Sequence, residues 1–340
     1  MHGYGIRGCI LDWTSSFLQG RTQHVLVDGA LSDPSPVLSG VPQGTVLGPL
    51  FFLIYINDIS DNLSPGTKIR LFADDSLLYR TIVDITDSIL LQKDLDTLQQ
   101  WERHNKMEFH PGKFTVLQIT NKRHPVNHIY KIHDTPLSVD KSAKYLGVTL
   151  DSTLSWDHHI NALYSKANFS LSFLERNLNR CPRHIKEQCF FTLVRPLLDY
   201  CCSAWDPHLV TQIEKLEKIN KRAARFVTGN QTFEHGNSSK YMISLGWHPL
   251  QERRAKMKTT MMFKIINDHI SVNKEDLIPS SSPRRPFNFF TPQSHKNSHL
   301  HSFFPSTIRL WNSIPDSIKS SDSLDGFKSE INKYIIKSSY

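Results

Sequence analysis

Two short β-prone runs, residues 68–73 and 76–83, are separated by only Asp74 and Asp75. A connection of this length permits a tight turn and little else, so the sequence predicts a β-hairpin. A turn projects its side chains away from the strands, which places both carboxylates at the tip of the predicted hairpin. Every fold open to this chain has to accommodate the hairpin.

The two carboxylates have a chemical and a structural interpretation. Carboxylate oxygens suit Mg²⁺, which takes one or two of them and completes its shell with water and substrate phosphates. Aspartate is also a common turn residue, so the pair of Asp74 and Asp75 by itself favours the structural interpretation. The upstream segment Pro42-Gln43-Gly44 changes that balance. Its glycine lets a ligand approach the backbone, and its glutamine offers a donor and an acceptor.

The segments around the hairpin alternate between helical and strand patterns. Residues 50–56 are apolar on all sides, which predicts a helix buried beneath a sheet. The other predicted elements are a helix at residues 6–18, a strand at 23–27 before an Asp28-Gly29 turn, a helix capped at Asp87 or Ser88, and strands at 113–120 and 144–150. This alternation predicts an α/β lobe.

Helical patterns replace this alternation after Trp156. Apolar residues recur at helical spacing over residues 160–174, 185–198 and 213–226. Residues 280–305 are rich in Ser, Pro, His and Phe, which predicts mostly loop. The sequence thus predicts an α/β domain at 1–157, a helical domain at 158–230, and a helical and loop region without an assigned role at 231–340.

Overall composition narrows the function less than these motifs do. Lys and Arg number 40 against 32 Asp and Glu, and the resulting charge of +8 favours polyanionic partners only weakly. The longest apolar stretch is far shorter than the ~20 residues of a membrane span, and the first residues lack a signal-peptide pattern. We therefore expect an intracellular protein, nuclear or cytoplasmic, without a membrane partner. Its 5 cysteines suit a reducing compartment and match no zinc spacing.

A long motif contains the features described so far. Residues 40–59 read Gly-Val-Pro-Gln-Gly-Thr-Val-Leu-Gly-Pro-Leu-Phe-Phe-Leu-Ile-Tyr-Ile-Asn-Asp-Ile, and residues 71–76 read Leu-Phe-Ala-Asp-Asp-Ser. Together they resemble the reverse transcriptases of LINE-type, non-LTR retrotransposons, particularly the jockey-like group. The similarity extends through residues 101–107 and 145–148, and more weakly through 195–200.

The resemblance implies a polymerase palm, with a mixed or antiparallel sheet and helices on one face, followed by a mostly α-helical thumb. It implies RNA-directed DNA synthesis, in which deoxynucleoside triphosphates extend a DNA primer on an RNA template. Mg²⁺ is the expected cofactor, with Mn²⁺ as an alternative. Asp74 falls at the family's metal-binding aspartate, and Asp75 falls at its neighbour, the lesser ligand. The sequence does not define an oligomeric state.

The resemblance also assigns substrate contacts outside the hairpin. The segment at residues 42–44 falls where the family contacts the incoming nucleotide and the template. Lys113 falls where a lysine would act on the pyrophosphate leaving group, although a surface lysine is at least as good an interpretation. Tyr145, Leu146 and Gly147 fall at the family's primer grip, where an ordinary edge strand would look similar.

One expected motif is missing from these 340 residues. The family's first aspartate strand lies before the Gly-Tyr-Gly-Ile helix with which this sequence begins, and Asp12, Asp28 and Asp33 do not match it. Two-metal phosphoryl transfer needs carboxylates that clamp both ions. We therefore expect a truncated domain of doubtful activity on its own. The alternatives are a non-catalytic nucleic-acid-binding relic, or a strand supplied by another chain or by upstream sequence.

A basic helix face offers a second nucleic-acid feature. Lys218, Arg222 and Arg225 share one face of the third predicted helix of the helical domain, a spacing that can follow a phosphate backbone. A solvated face is the alternative, because Glu214 and Glu217 each precede a lysine by four positions and can support the helix without a ligand. The family resemblance favours contact with a primer-template duplex.

Overall fold

The computed structural model describes residues 2–229, 237–281 and 285–334, except for the side chains of residues 237 and 238. The chain divides into two compact units, Met1–Asp140 and Lys141–Tyr340. This division falls before residues 144–150, which the sequence analysis grouped with the α/β domain. The assignment of functional domains to these units stays a prediction.

The first unit combines three α-helices, three short 3₁₀ helices and ten short strands in its described residues. Its helices are α1 (Cys9–Leu18), α2 (Gly48–Ile56) and α3 (Ile85–Asn105). Its strands are β1 (Thr22–Gln23), β2 (Leu26–Val27), β3 (Ala30–Leu31), β4 (Ser35–Pro36), β5 (Lys68–Phe72), β6 (Asp75–Tyr79), β7 (Thr115–Leu117), β8 (Lys131–Ile132), β9 (Thr135–Pro136) and β10 (Ser138–Asp140).

The second unit is mostly helical. It begins with strands β11 (Ser142–Tyr145) and β12 (Val148–Asp151). Its helices are α4 (Asp157–Leu178), α5 (Arg183–Leu193), α6 (Arg195–Asp199), α7 (Cys202–Trp205), α8 (Val210–Thr228), α9 (Asn237–Ser244), α10 (Leu250–Ile266), α11 (Asn297–Leu300), α12 (Phe303–Ser313), α13 (Asp316–Lys319) and α14 (Leu324–Lys333). None of the helices in the described ranges has both the length and the apolar character needed to cross a membrane.

The strands pair locally and do not build one sheet. Five antiparallel ladders, β1–β4, β2–β3, β5–β6, β8–β9 and β11–β12, and one parallel ladder, β7–β10, are formed by the described residues. The larger sheet implied by the family resemblance is therefore not present in this part of the chain. The strands are two to five residues long, so each ladder provides little sheet surface.

Helix α3 begins earlier than the sequence predicted. The carboxylate of Asp84 accepts hydrogen bonds from the backbone N–H groups of Thr86 at 2.8 Å and Asp87 at 3.3 Å, so Asp84 is the N-cap. The side chain of Asp87 accepts the backbone N–H of Asp84 in return, which completes a capping box. The predicted cap at Asp87 or Ser88 is therefore wrong, because an equally suitable aspartate lies three residues earlier.

Two elements predicted as continuous are interrupted. Residues 144–150 form an antiparallel hairpin rather than one strand, because Leu146 and Gly147 turn the chain with φ values of 45° and 82°. The predicted helix at 185–198 divides into α5 and α6 at Val194. Pro196 lies in the first turn of α6, and a proline cannot donate the hydrogen bond that would continue α5.

Helix α2 is covered on one side only. Phe51 and Ile56 are buried, and Ile56 packs in a small core with Ile59 and Leu98. Leu50 and Leu53 remain 51% and 52% exposed. The prediction of a helix buried beneath a sheet is therefore wrong for the described residues, because the ladders of this unit do not join into a sheet that could cover the second side.

The second unit has two apolar cores. The larger one lies among α4, α5, α6, α7 and α8, where Phe190, Leu198 and Trp205 are fully buried. The smaller one lies among α10, α12 and α14, where Phe263, Trp311 and Phe327 pack together. Burial of such large side chains is the main source of stability in a helical domain.

Three buried charges connect these helices. The carboxylate of Asp206 accepts a hydrogen bond from Nε of Arg254 at 2.8 Å and another from Nζ of Lys258 at 3.1 Å. Nζ of Lys258 also lies 2.7 Å from Oγ of Ser306 in α12. The side chains of Arg254 and Lys258 are only 1% and 2% exposed, so water cannot replace the carboxylate.

We predict that Asp206→Ala lowers the free energy of unfolding by about 3–5 kcal/mol, because it leaves two buried cations without this carboxylate. Urea denaturation followed by circular dichroism measures the change. Asp325→Ala is the control, since its ion pair with Lys328 is exposed and should contribute less than about 1 kcal/mol. Equal midpoints for the two variants would contradict the prediction.

Candidate active site

The hairpin predicted at Asp74 and Asp75 is present, with a shifted turn. Strands β5 and β6 pair residue by residue from Lys68 opposite Tyr79 to Phe72 opposite Asp75. Ala73 and Asp74 therefore form the turn, and Asp75 is the first residue of β6, which corrects the prediction that both aspartates lie in the turn. Both carboxylates are exposed at this end of the hairpin.

The turn has a backbone conformation that is uncommon for its residue type. Ala73 has a φ of 50°, in the left-handed region that side chains other than glycine rarely adopt. Such conformations persist when the surrounding structure holds them, and they are frequent at functional sites. Here the paired strands on either side of Ala73 supply that constraint.

A buried aspartate of α3 fixes the other end of the hairpin. The carboxylate of Asp94 accepts a hydrogen bond from the backbone N–H of Ser64 at 2.7 Å and from Oγ1 of Thr67 at 2.5 Å. Asp94 is fully buried, and Thr67 directly precedes β5. Since a buried carboxylate needs its hydrogen-bond partners, this contact holds the start of β5 against α3.

An arginine just after β6 ties both strands together. Nη1 of Arg80 donates to the backbone oxygen of Pro65 at 2.8 Å and lies 3.1 Å from Oγ1 of Thr67. Its Nη2 lies 3.1 Å from Oδ1 of Asp87 in the first turn of α3. Sequence reasoning missed Arg80 and Asp94 as supports of the hairpin, because their partners are distant in the chain.

The segment Pro42-Gln43-Gly44 forms an exposed loop before α2. Gly44 has a φ of 74°, and a Cβ there would meet no atom within 4 Å, so the backbone is open on that side. Oγ1 of Thr45 donates to the backbone oxygen of Pro42 at 2.9 Å and accepts the N–H of Gly48 at 3.0 Å. The loop is thus folded against the first residue of α2.

Among the described glycines, Gly48 leaves the least room for a side chain. A Cβ at this position would lie 2.5 Å from the backbone oxygen of Pro42, closer than nonbonded atoms approach. Sequence reasoning singled out Gly44 and missed Gly48. The sequence did contain a signal for Gly48, because this glycine directly precedes Pro49 at the start of a predicted helix.

The other predicted substrate contacts lie elsewhere. Lys113 is exposed in a 3₁₀ turn, Pro111–Lys113, rather than in the predicted strand. Leu146 and Gly147 form the β11–β12 turn in the second unit, where Oη of Tyr200 donates to the backbone oxygen of Leu146 at 2.9 Å. A Cβ on Gly147 would lie 3.2 Å from the Tyr200 ring, so this turn is closely held.

The basic helix face is α8, and its residues differ in their surroundings. Lys218 is exposed, whereas the guanidinium of Arg222 forms an ion pair with Glu175 and reaches Ser172 Oγ at 3.0 Å. A groove of about 310 Å³ is lined by Tyr164, Asn168, Lys218, Ile219, Lys221, Arg222 and Arg225. Glu217 binds Asn220 and the backbone N–H of Leu250, not the lysine four positions later.

The hairpin carboxylates suit part of a metal site. Mg²⁺ takes one or two carboxylates and completes its shell with water and substrate phosphates, which fits the exposed pair Asp74 and Asp75. Within the described ranges, no cluster of three or more His, Cys, Asp or Glu side chains could enclose a metal ion. The residues present thus fit a metal shared with substrate and do not form a protein cage.

A known family matches the part of the chain that contains the hairpin. Residues 2–150 match the family described as reverse transcriptase (RNA-dependent DNA polymerase). These residues are therefore a reverse transcriptase domain. The match includes the hairpin carboxylates, the 42–44 loop, Lys113 and the β11–β12 turn, whereas α8 lies outside it.

The names of the curated relatives support a reverse transcriptase domain of the non-LTR retrotransposon type. The chain is 27% identical over 225 residues to the probable RNA-directed DNA polymerase from transposon X-element of Drosophila melanogaster, covering 64% of this chain and 25% of that protein. It is 26% identical over 227 residues to the RNA-directed DNA polymerase from mobile element jockey of the same species, covering 63% and 24%.

A third relative matches over a longer region. The probable RNA-directed DNA polymerase from transposon BS of Drosophila melanogaster is 26% identical over 285 residues, which cover 79% of this chain and 31% of that protein. The chain thus spans about a quarter to a third of the curated relatives that it matches. No solved structure matches the chain significantly.

We predict that Gly48→Ala destabilises the first unit by about 1–3 kcal/mol, because the added methyl forces the Pro42 loop away from α2. Chemical denaturation measures the loss, and limited proteolysis shows whether the loop becomes accessible. Gly3→Ala is the matched control, since a Cβ there meets nothing within 4 Å. Equal stability and equal proteolysis of Gly48→Ala and Gly3→Ala would contradict the close contact between Gly48 and the backbone oxygen of Pro42.

Asp87 should give the first unit an acid-sensitive stability. The backbone N–H of Val83 and the Arg80 guanidinium hold the pKa of Asp87 below its ordinary value. The contribution is therefore fully present above the ordinary carboxyl pKa and is lost as the pH falls through the lower, folded-state pKa. Asp87→Asn should flatten the decline in stability in this acid range, whereas Asp322→Asn, an exposed control, should leave its slope unchanged. If the free energy of unfolding falls with pH equally steeply in the wild type and in Asp87→Asn, Asp87 is not the source of the acid sensitivity.

Proposed function

We propose that this reverse transcriptase domain takes part in metal-dependent, RNA-templated DNA synthesis, with Asp74 and Asp75 as metal-binding carboxylates. The observation that carries the proposal is the exposed hairpin, which presents two adjacent carboxylates at one end. The named relatives are RNA-directed DNA polymerases, which supports the same reaction for the longer protein type.

The residues of the first unit would position and bind the substrates. Asp94 and Arg80 fix the base of the hairpin, so Asp74 and Asp75 stand at a defined position. Bound Mg²⁺, or Mn²⁺ in its place, supplies Lewis-acid stabilisation of phosphate charge. The exposed amide of Gln43 would hydrogen-bond the incoming deoxynucleoside triphosphate or the template, beside the open backbone of Gly44.

Further contacts would hold the nucleic acid and the leaving group. Lys113, exposed after α3, would offer its ammonium group to pyrophosphate. The β11–β12 turn with Tyr145 would contact the DNA primer. On α8, Lys218 and Arg225 would contact backbone phosphates, whereas Arg222 would chiefly hold the groove wall through Glu175.

A complete two-metal clamp needs more than these two aspartates. The described residues bring no third acidic group to the hairpin. We therefore propose that the active polymerase takes a further carboxylate from sequence outside residues 1–340 or from another chain. The same observation favours a second candidate, in which these residues bind nucleic acid without catalysis through the basic α8 groove.

Primer extension on an RNA template separates these functions. The purified chain is tested with a labelled DNA primer, deoxynucleoside triphosphates and Mg²⁺ or Mn²⁺, beside Asp74→Ala. We expect loss of extension by a factor on the order of 100 or more in Asp74→Ala, since the metal-bound charge is essential to the transition state. Asp61→Ala is the control, because Asp61 is exposed and follows the 3₁₀ helix Asn57–Ser60, outside the hairpin.

Duplex binding across a salt series completes the test. Extension by the wild type that survives Asp74→Ala would overturn the metal-site assignment. No extension, together with salt-sensitive binding, would favour the non-catalytic candidate, because phosphate contacts weaken as salt rises. Loss of that binding in Lys218→Gln would then place the nucleic acid on α8.

A further inference from the structure

Helix α4 presents an unusual face to solvent. Phe169 and Phe173 are 70% and 52% exposed, although both are large aromatic residues in the middle of a 22-residue helix. They are four positions apart and therefore lie one turn apart on the same side. Lys166 and Arg176, three positions before and after them, lie on the same side and are exposed. We call these four residues the α4 outer face.

The core does not require the two phenylalanines. The opposite side of α4 carries Ile160, Ala167, Leu171 and Leu174, which are at most 2% exposed and pack in the larger core. Single exposed apolar residues are ordinary on protein surfaces. A pair of rings one turn apart, with a cation beyond each end, is a more specific arrangement.

The acidic residues of α4 bind α8 and not the cations of the α4 outer face. Asp157 and Glu175 are the only acids in this helix. Oδ1 of Asp157 accepts a hydrogen bond from Gln212 at 2.5 Å, and Glu175 pairs with Arg222, so both are engaged with α8. The cations of the α4 outer face are therefore not neutralised by their own helix, and the face attracts anions.

We propose that the α4 outer face binds single-stranded nucleic acid, with bases stacked on Phe169 and Phe173 and phosphates held by Lys166 and Arg176. Aromatic platforms flanked by cations are how proteins bind single strands without sequence preference. Within a duplex each base face is covered by its neighbours, so exposed rings select unpaired bases. The 310 Å³ groove between α4 and α8, which includes Lys218 and Lys221, adds positive charge on another side of α4.

A membrane surface fits these observations less well. A helix that lies on a bilayer inserts a broad apolar face, whereas the broad apolar face of α4 is already buried in the core. Two rings with a cation at each end match the alternation of bases and phosphates better. The inference extends the proposed function, since it concerns a single strand rather than catalysis or duplex binding, and it does not require polymerase activity.

The test is fluorescence anisotropy with labelled oligo(dT) and oligo(rU) of about 15 nucleotides, a length within known single-strand site sizes. Phe169→Ala and Phe173→Ala should each weaken binding about 5-fold to 100-fold, the range expected for loss of one stacked base. Phe290→Ala is the matched control, because Phe290 is 62% exposed and lies in the second unit outside α4. All three substitutions remove exposed rings, so unchanged melting temperatures are expected.

Four further variants and a membrane probe identify the ligand class. Leucine at both positions keeps apolar contact but removes stacking and should bind as weakly as alanine, whereas tyrosine should restore binding. Lys166→Gln and Arg176→Gln should each reduce the slope of log K against log salt by about 0.7, the value for one phosphate on a single strand. Vesicles of phosphatidylserine and phosphatidylcholine serve as the membrane probe.

The proposal is overturned if the double alanine variant binds both oligonucleotides like the wild type. It is also overturned if the double leucine variant binds the oligonucleotides as tightly as the wild type, or if only vesicle binding depends on the two rings. Primer extension by the wild type is measured in parallel, because oligonucleotide binding by the α4 outer face does not require it. Ring-dependent binding without any primer extension would therefore sustain this inference while the proposed catalytic function failed.

Discussion

The buried carboxylate of Asp94 is the contact on which the candidate active site depends. Asp94 is fully buried, so its carboxylate has to be matched by the N–H of Ser64 and the hydroxyl of Thr67. Those partners lie just before β5, and Arg80 joins the same region from the end of β6. The base of the hairpin is consequently rigid, and the carboxylates of Asp74 and Asp75 can remain exposed at its other end.

Charged residues in the second unit serve different purposes depending on what surrounds them. Arg254 and Lys258 are buried against Asp206, where they determine how α10 packs. Lys166 and Lys218 are exposed, where their charge is available to a polyanion. All four are basic residues within helices, and the sequence alone gave no means of separating them. Burial and the presence of a carboxylate partner make the distinction.

The sequence predicted the hairpin, the Asp28-Gly29 turn and helices α4 and α8 of the second unit from local patterns. The sequence-based prediction was wrong where two local structures were equally compatible with the residues. Asp84 and Asp87 can both cap a helix, and the extended backbone of Asp84 decided in its favour. Leu146 looked like a strand residue, whereas the Tyr200 hydroxyl and the adjacent Gly147 stabilise a turn there.

The sequence by itself determined the chemistry that these residues carry: a carboxylate pair at a two-residue connection, a glycine-containing loop before a helix, and the reverse transcriptase motif that includes both. These features depend on residues close in the chain, whose geometry is limited by local sterics. The tertiary structure alone decided which side chains support the hairpin, that Arg222 faces Glu175, and that Phe169 and Phe173 face solvent. Those outcomes depend on contacts between residues far apart in sequence, which periodicity and propensity do not specify.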